Sequence, residues 1–173
     1  MNILALDLGT KTGWAMHHAM LPNDDAGTWS LASRAQIVEA IEKRMDRRQD
    51  PRFVRLLIFI KQFRSSFPNI DWIVFEDVEF VKSRMQAHLW ATWRAAIWCQ
   101  QGVNIDCLST GKLKAFATGS GSADKDKMAR ALTMDPRYIL DKDGVKDTLR
   151  NKILDDNAVD AVHLLNWAKQ TFK

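Results

Sequence analysis

One carboxylate inside an apolar run constrains this chain more than any other feature. Ile3, Leu4, Ala5, Leu6 and Leu8 form a short hydrophobic segment bounded by Gly9 and Gly13. That pattern predicts a buried strand, a tight turn, and a second strand from Trp14 to His17. Asp7 interrupts the run. An ionised carboxylate is very costly to bury alone, so Asp7 needs a cation, a dense set of donors, or water in a cleft. The plainer alternative is an Asp that starts a turn at a strand end. Further carboxylates at the ends of later elements weigh against that alternative.

At 173 residues the chain is long enough for one domain with a sizeable core, and the expectation is a single domain over 1–173. With 46% hydrophobic and 27% charged residues, the composition is that of a soluble globular protein. No apolar run approaches the ~20 residues of a membrane span. The first residues enter a strand directly, without a basic leader, so the expected location is the cytoplasm. Cys99 and Cys107 lack metal-ligand spacing and are expected to be buried thiols rather than a disulfide. A net charge of +4 and a pI near 9.2 become informative only if bases and acids cluster apart.

Taken in order, a turn at Pro22–Gly27 and a short strand at Thr28–Leu31 complete a three-stranded meander. Ser33 is placed to cap a helix from about Arg34 to Met45. A second helix, Arg52 to Ser66, carries Phe53, Leu56, Leu57, Ile60 and Phe63 at helical spacing. Asp71–Val78 is a strand ending in Glu76 and Asp77. The helix from Ser83 to Gln100 has an apolar stripe of Leu89, Trp90, Trp93, Ala96 and Ile97, and Asn104–Leu108 is a fifth strand. Lysines 112, 114, 125 and 127 surround a Gly119-Ser-Gly121 turn that lacks P-loop spacing. Asp135–Asn151 reads as loop, and Asp156–Lys169 as a final helix. The expected architecture is α/β, a mixed five-stranded sheet flanked by helices.

The carboxylates fall at chosen places. Asp7 and Glu76 end apolar strands, while Asp156 and Asp160 lie four apart and share a face of the last helix. Adjacent strands would set Asp7 beside Glu76 as a like-charge cluster, which a divalent cation neutralises. Hard oxygen ligands suit Mg²⁺ or Mn²⁺, and two such ions about 3.5–4 Å apart serve phosphodiester cleavage. Asp155 and Asp156 have a second reading as caps of the helix, and Asp77 as a solvent-facing residue. Lysines on a glycine-containing loop fit a phosphate backbone, or merely solubilise it.

Four segments carry a resemblance. Leu6-Asp-Leu-Gly-Thr-Lys-Thr-Gly-Trp-Ala15, Phe75-Glu-Asp-Val78, the basic stretch from Lys112 to Met128, and Asp156-Asn-Ala-Val-Asp-Ala161 resemble, in order, the motifs of RuvC-type Holliday-junction resolvases, within the RNase H-like superfamily. The phage-encoded branch is the more similar. The resemblance implies an RNase H-like fold and a dimeric, Mg²⁺-dependent endonuclease that nicks two strands symmetrically across a four-way DNA junction. It implies Asp7, Glu76 and Asp160 as metal ligands and Lys114 and Lys125 as phosphate contacts, with Lys112 and Lys127 on the same DNA-binding stretch. Relatives place an acid or His where this chain has Asn157, so the fourth ligand is either Asn157 or Asp156, and charge favours Asp156. The relatives' base-stacking aromatic corresponds to Glu79, which shifts that role to Phe80. Other readings are an RNase H-like nuclease of hybrids or other branched DNA, and a junction-binding protein that does not cut. An actin-like ATPase is disfavoured for want of a second half to close over nucleotide.

Overall fold

The computed structural model describes residues 1–43, 49–78 and 83–172. Phe80, and the end of the expected first helix at Arg44 and Met45, lie outside those residues. Strands β1 (Ile3–Asp7), β2 (Lys11–His17) and β3 (Asp25–Ser30) form an antiparallel meander. Strand β4 (Trp72–Asp77) runs parallel to β1, and β5 (Asn104–Ser109) parallel to β4, giving the order β3-β2-β1-β4-β5. This is the expected mixed five-stranded sheet.

Two helical layers cover its faces. Helices α1 (Arg34–Glu42), α2 (Pro51–Ser66) and α3 (Arg84–Trp98) precede and follow β4. Against one face, Leu56, Ile60, Leu89, Trp90, Trp93 and Ile97 pack on Leu4, Leu6, Ile73 and Phe75. The opposite face takes α4 (Thr110–Thr118), α5 (Lys125–Leu132) and α6 (Asp156–Thr171), packed on Ile3, Ala5, Ala15 and Val74. Successive strand residues point to opposite faces, so Ile3, Ala5 and then Asp7 look toward α6. In the parallel register Ala5 pairs with Val74 and Leu6 with Phe75, which makes Asp7 and Glu76 the next pair in line. Ser33 caps α1 through a reciprocal capping box with Gln36, as its position predicts.

Three expectations are corrected. The stretch 135–151, read as loop, forms most of a second antiparallel sheet of β6 (Tyr138–Asp141), β7 (Gly144–Asp147) and β8 (Lys152–Leu154). Its strands are too short for a clear alternation in sequence. A buried pair of Arg137 and Asp147 holds it, and Asp147 also accepts from the backbone N–H groups of Leu149 and Arg150. The lysine-bearing segment is two helices rather than a flexible loop: Lys112 and Lys114 lie on α4, Lys125 and Lys127 on α5. Gly119, in the left-handed region at φ 79°, closes α4, and the Asp124 side chain caps α5. Finally, Cys99 and Cys107 are exposed free thiols, because they sit where α3 ends and on the outer strand β5. Among the described residues no helix is long and apolar enough to cross a membrane.

Helix α6 crosses β1, β2 and β3 at close range. A Cβ on Gly13 would stand 1.9 Å from the Asn157 carbonyl oxygen, with backbone on both sides, whereas one on Gly111 meets nothing within 4 Å. Gly13→Ala is therefore expected to lose at least about 1–3 kcal/mol of stability through overpacking. Gly111→Ala, in a helix, is expected to gain about 0.4–1 kcal/mol. Urea unfolding of both variants checks the contrast, and an equal effect of the two would refute the close approach.

Candidate metal centre

Asp7 from the end of β1, Glu76 from β4 and Asp160 from the second turn of α6 converge, with one carboxylate oxygen of each lying within 4.8 Å of the others. Strand pleating supplies the first two, and the approach of α6 over Gly13 supplies the third. Glu76 is buried at 7% exposure, and its Oε1 accepts a hydrogen bond from the Thr110 hydroxyl, the first residue of α4. Sequence reasoning missed Thr110, since nothing local ties a threonine after β5 to a glutamate on β4.

The electrostatics of the cluster are strained. Burial, then the charges of Glu76 and Asp160, together with a hydrogen bond to Glu76, raise the Asp7 carboxyl well above its ordinary range. Burial and then the Glu76 charge push Asp160 up to about 7, with Lys114 and Lys125 pulling the other way. Like charges this close repel, and in the absence of a cation protons must relieve them. Three hard oxygen donors with that unmet negative charge fit a divalent cation of the Mg²⁺ or Mn²⁺ type.

The neighbouring acids divide their work differently from expectation. Asp155, not Asp156, caps α6: its Oδ1 accepts from the Ala158 N–H at 3.1 Å and from the Thr28 hydroxyl. Asp156 is one residue inside the helix, so its side chain is directed outward, and its Oδ2 takes the Lys125 ammonium at 2.7 Å. Among the described residues it lies outside the converging group, although its charge is felt at Asp160. Asn157 is half-buried, its backbone pressed on Gly13. Asp77 is not simply solvent-facing, because Arg94 Nε donates to it at 2.6 Å. Lys114 is half-buried beside the cluster, Lys125 stands at its rim, and Lys112 and Lys127 are exposed on α4 and α5.

By sequence, neither a family model nor a curated protein matches this chain. Solved structures do match. One of Thermus thermophilus RuvC aligns with a TM-score of 0.60 at 14% identity, covering 98% of this chain and 96% of that one. A second, of T. thermophilus RuvC in complex with Holliday junction substrate, aligns at 0.61 with the same identity and coverage. The likeness extends over nearly the whole chain and shows a RuvC-like α/β fold.

A proton held in the folded cluster has a consequence for stability. Asp160 titrates near 7 when folded, far above an unfolded aspartate near 3.9. Its contribution is therefore full below the unfolded value and is lost as pH rises through about 7. His163, whose burial lowers its affinity for protons, works in the opposite direction, so the clean measure is a difference. In chelator, wild-type melting temperature should fall relative to Asp160→Asn between about pH 5 and pH 8, and Mg²⁺ at the higher pH should close the gap. A pH-independent difference would show that Asp160 does not share the cluster's charge.

Proposed function

We infer that this protein is a divalent-metal-dependent endonuclease of branched DNA, cutting four-way junctions by paired symmetric nicks. The observation that supports this reading above the others is the convergence of Asp7, Glu76 and Asp160 within a RuvC-like fold, beside Lys114 and Lys125. In this reading those three acids hold Mg²⁺, or Mn²⁺ in its place. Bound there, the metal would supply Lewis acidity toward a phosphodiester.

The chain's own residues orient and steer. The Thr110 hydroxyl fixes the rotamer of Glu76, and Asp155 with Thr28 fixes the start of α6 and hence the reach of Asp160. Lys114 and Lys125 offset the negative potential at the rim, so a polyanionic backbone can approach a carboxylate cluster. Lys112 and Lys127 extend that basic surface along two helices. Among the described residues a chain carries one such centre, so two symmetric nicks call for a second copy, and a homodimer is part of the proposal. So is a cytoplasmic setting, in a bacterium or the host of a phage.

Asp156 is assigned the fourth metal contact, directly or through water, once its side chain turns from Lys125 toward the cluster. It is held by Lys125 at 2.7 Å, and a lysine that turns to a DNA phosphate releases the carboxylate. The two proposed roles are thus exclusive until substrate arrives. Lys125→Ala should then lower the Mg²⁺ needed for half-maximal rate while weakening DNA binding, and Asp156→Asn should raise it. A raised requirement in Asn157→Ala alone would transfer the assignment to that residue.

The reading as a whole is checked by incubating the protein and Mg²⁺ with labelled four-way junction, flap, duplex and RNA–DNA hybrid, and mapping the cuts. Symmetric junction cuts are expected. Asp7→Asn should reduce them by orders of magnitude while keeping junction binding and thermal stability. Lys114→Ala should flatten the salt dependence of binding by about one unit of slope. Cutting confined to hybrids would replace the junction substrate. Binding without cutting in either metal would make the protein a junction binder.

A further inference from the structure

Glu76 stands where its strand leaves the sheet. Strand β4 pairs with β1 only as far as Phe75. Beyond that the ladder with β5 continues alone, with Glu76 beside Leu108 and Asp77 beside Ser109. A carboxylate that has to meet Asp7 and Asp160 is therefore carried on a strand end supported from one side.

On the other face of the sheet, Arg94 of α3 grips that exit. Side chains alternate along a strand, so Asp77 points toward α3 while Glu76 points toward α6. Arg94 Nε donates to Asp77 Oδ1 at 2.6 Å. Its Nη2 reaches the same carboxylate and also donates to the Val78 carbonyl at 2.9 Å. The guanidinium carbon lies 5.7 Å from the centre of the Trp90 ring, which is itself buried. One planar fork thus ties the helix to both side chain and main chain in the two residues after Glu76. Stability alone is a poor account of this contact. The side chains of Arg94 and Asp77 are 24% and 31% exposed, and an ion pair that open to water contributes little to folding. A rigid fork held on a carboxylate and a carbonyl at once does, however, fix the direction of the chain.

We propose that Arg94 is a positioning residue for the metal centre. By clamping Asp77 and Val78 it holds the end of β4, and so aims Glu76 at Asp7 and Asp160, while Thr110 fixes the carboxylate itself. The proposal rests on the nuclease reading above and adds to it a residue that touches neither metal nor DNA. Metal-ligating groups must be held to within about 0.5 Å, and losing a residue that orients them costs about 10–100-fold in metal affinity. The charge of Arg94 acts in the opposite sense. A cation near a Mg²⁺ site repels the metal, so if charge were its only influence, deleting it would tighten binding. The two accounts differ in sign.

The test measures Mn²⁺ binding to the DNA-free protein, counting free ion by its paramagnetic resonance signal. Four-way junction binding without metal and the Mg²⁺ dependence of cutting are measured beside it. Arg94→Gln should weaken Mn²⁺ binding by about tenfold. It should raise the Mg²⁺ needed for half-maximal cutting in step, and leave metal-free junction binding unchanged. Arg94→Lys keeps the charge but loses the planar fork that spans both acceptors. Its Mn²⁺ binding should fall between those of Arg94→Gln and the wild type, and it decides the question alone if Arg94→Gln does not fold. Mn²⁺ binding equal to or tighter than that of the wild type in every folded variant overturns the positioning role and leaves the nuclease reading intact. Weaker metal-free junction binding in the variants overturns it too, because Arg94 would then be a DNA contact. A wild type that neither binds Mn²⁺ nor cuts any of the DNAs overturns both.

Discussion

The close passage of α6 over β2 is the constraint on which the rest of the site depends. At Gly13 the strand offers no side chain, and the helix backbone at Asn157 occupies the space where a Cβ would be. Ala15 and Ala26 extend that low floor beneath Ala158 and Ala161. The helix is fastened at both ends. Asp155 caps it and takes the Thr28 hydroxyl from β3, while Phe172 just beyond it stacks on Trp72 with ring centroids 3.9 Å apart. Only a helix pinned so closely delivers Asp160, one turn in from its start, to the ends of β1 and β4.

What is gathered there opposes its own assembly. Three carboxylates repel, and burial withholds the water that would screen them. The surrounding frame tolerates the conflict because its stability comes from elsewhere. Apolar layers cover both faces of the sheet, and an aromatic group of Trp14, Trp29, Phe59, Phe63 and Phe67 binds α2 to the meander. The small second sheet contributes at the entrance to α6. Its last strand runs directly into Asp155, and the Lys152 ammonium reaches the Ala26 carbonyl and lies 5.2 Å over the Trp14 ring. A cation at the cluster would thus relieve a strain that the fold holds without being built by it.

The same geometry separates two populations of polar groups around the site. Thr110, Thr28 and Asp155 make contacts within the fold and set the directions of the carboxylates. Lys125 and Asp156 face outward and are satisfied by each other. The first set acts as scaffold. The second is free to exchange partners, and that difference in burial is what makes a substrate-dependent rearrangement reasonable at the rim and not in the floor.

Features whose physics is local are legible in the amino-acid sequence. Short apolar runs along Ile3–Leu8 and Trp72–Phe75, and helical spacing in α2, α3 and α6, reveal the strands, the helices and the helices' buried faces, because these patterns follow from the local backbone. The carboxylates ending β1 and β4, and Asp160 within an apolar helix, were legible for the same reason. Short β6, β7 and β8 escaped because three or four residues hold too little alternation, and the helices bearing Lys112, Lys114, Lys125 and Lys127 were hidden behind the Gly119-Ser-Gly121 punctuation. Packing in three dimensions settles which of Asp155 and Asp156 caps α6, that Lys125 holds Asp156, that Thr110 meets Glu76, and that Gly13 must be glycine. Lys125 with Asp156, Thr110 with Glu76 and Gly13 with Asn157 each join residues far apart in the chain, and their meeting is set by how helices seat on a sheet, which no local pattern encodes.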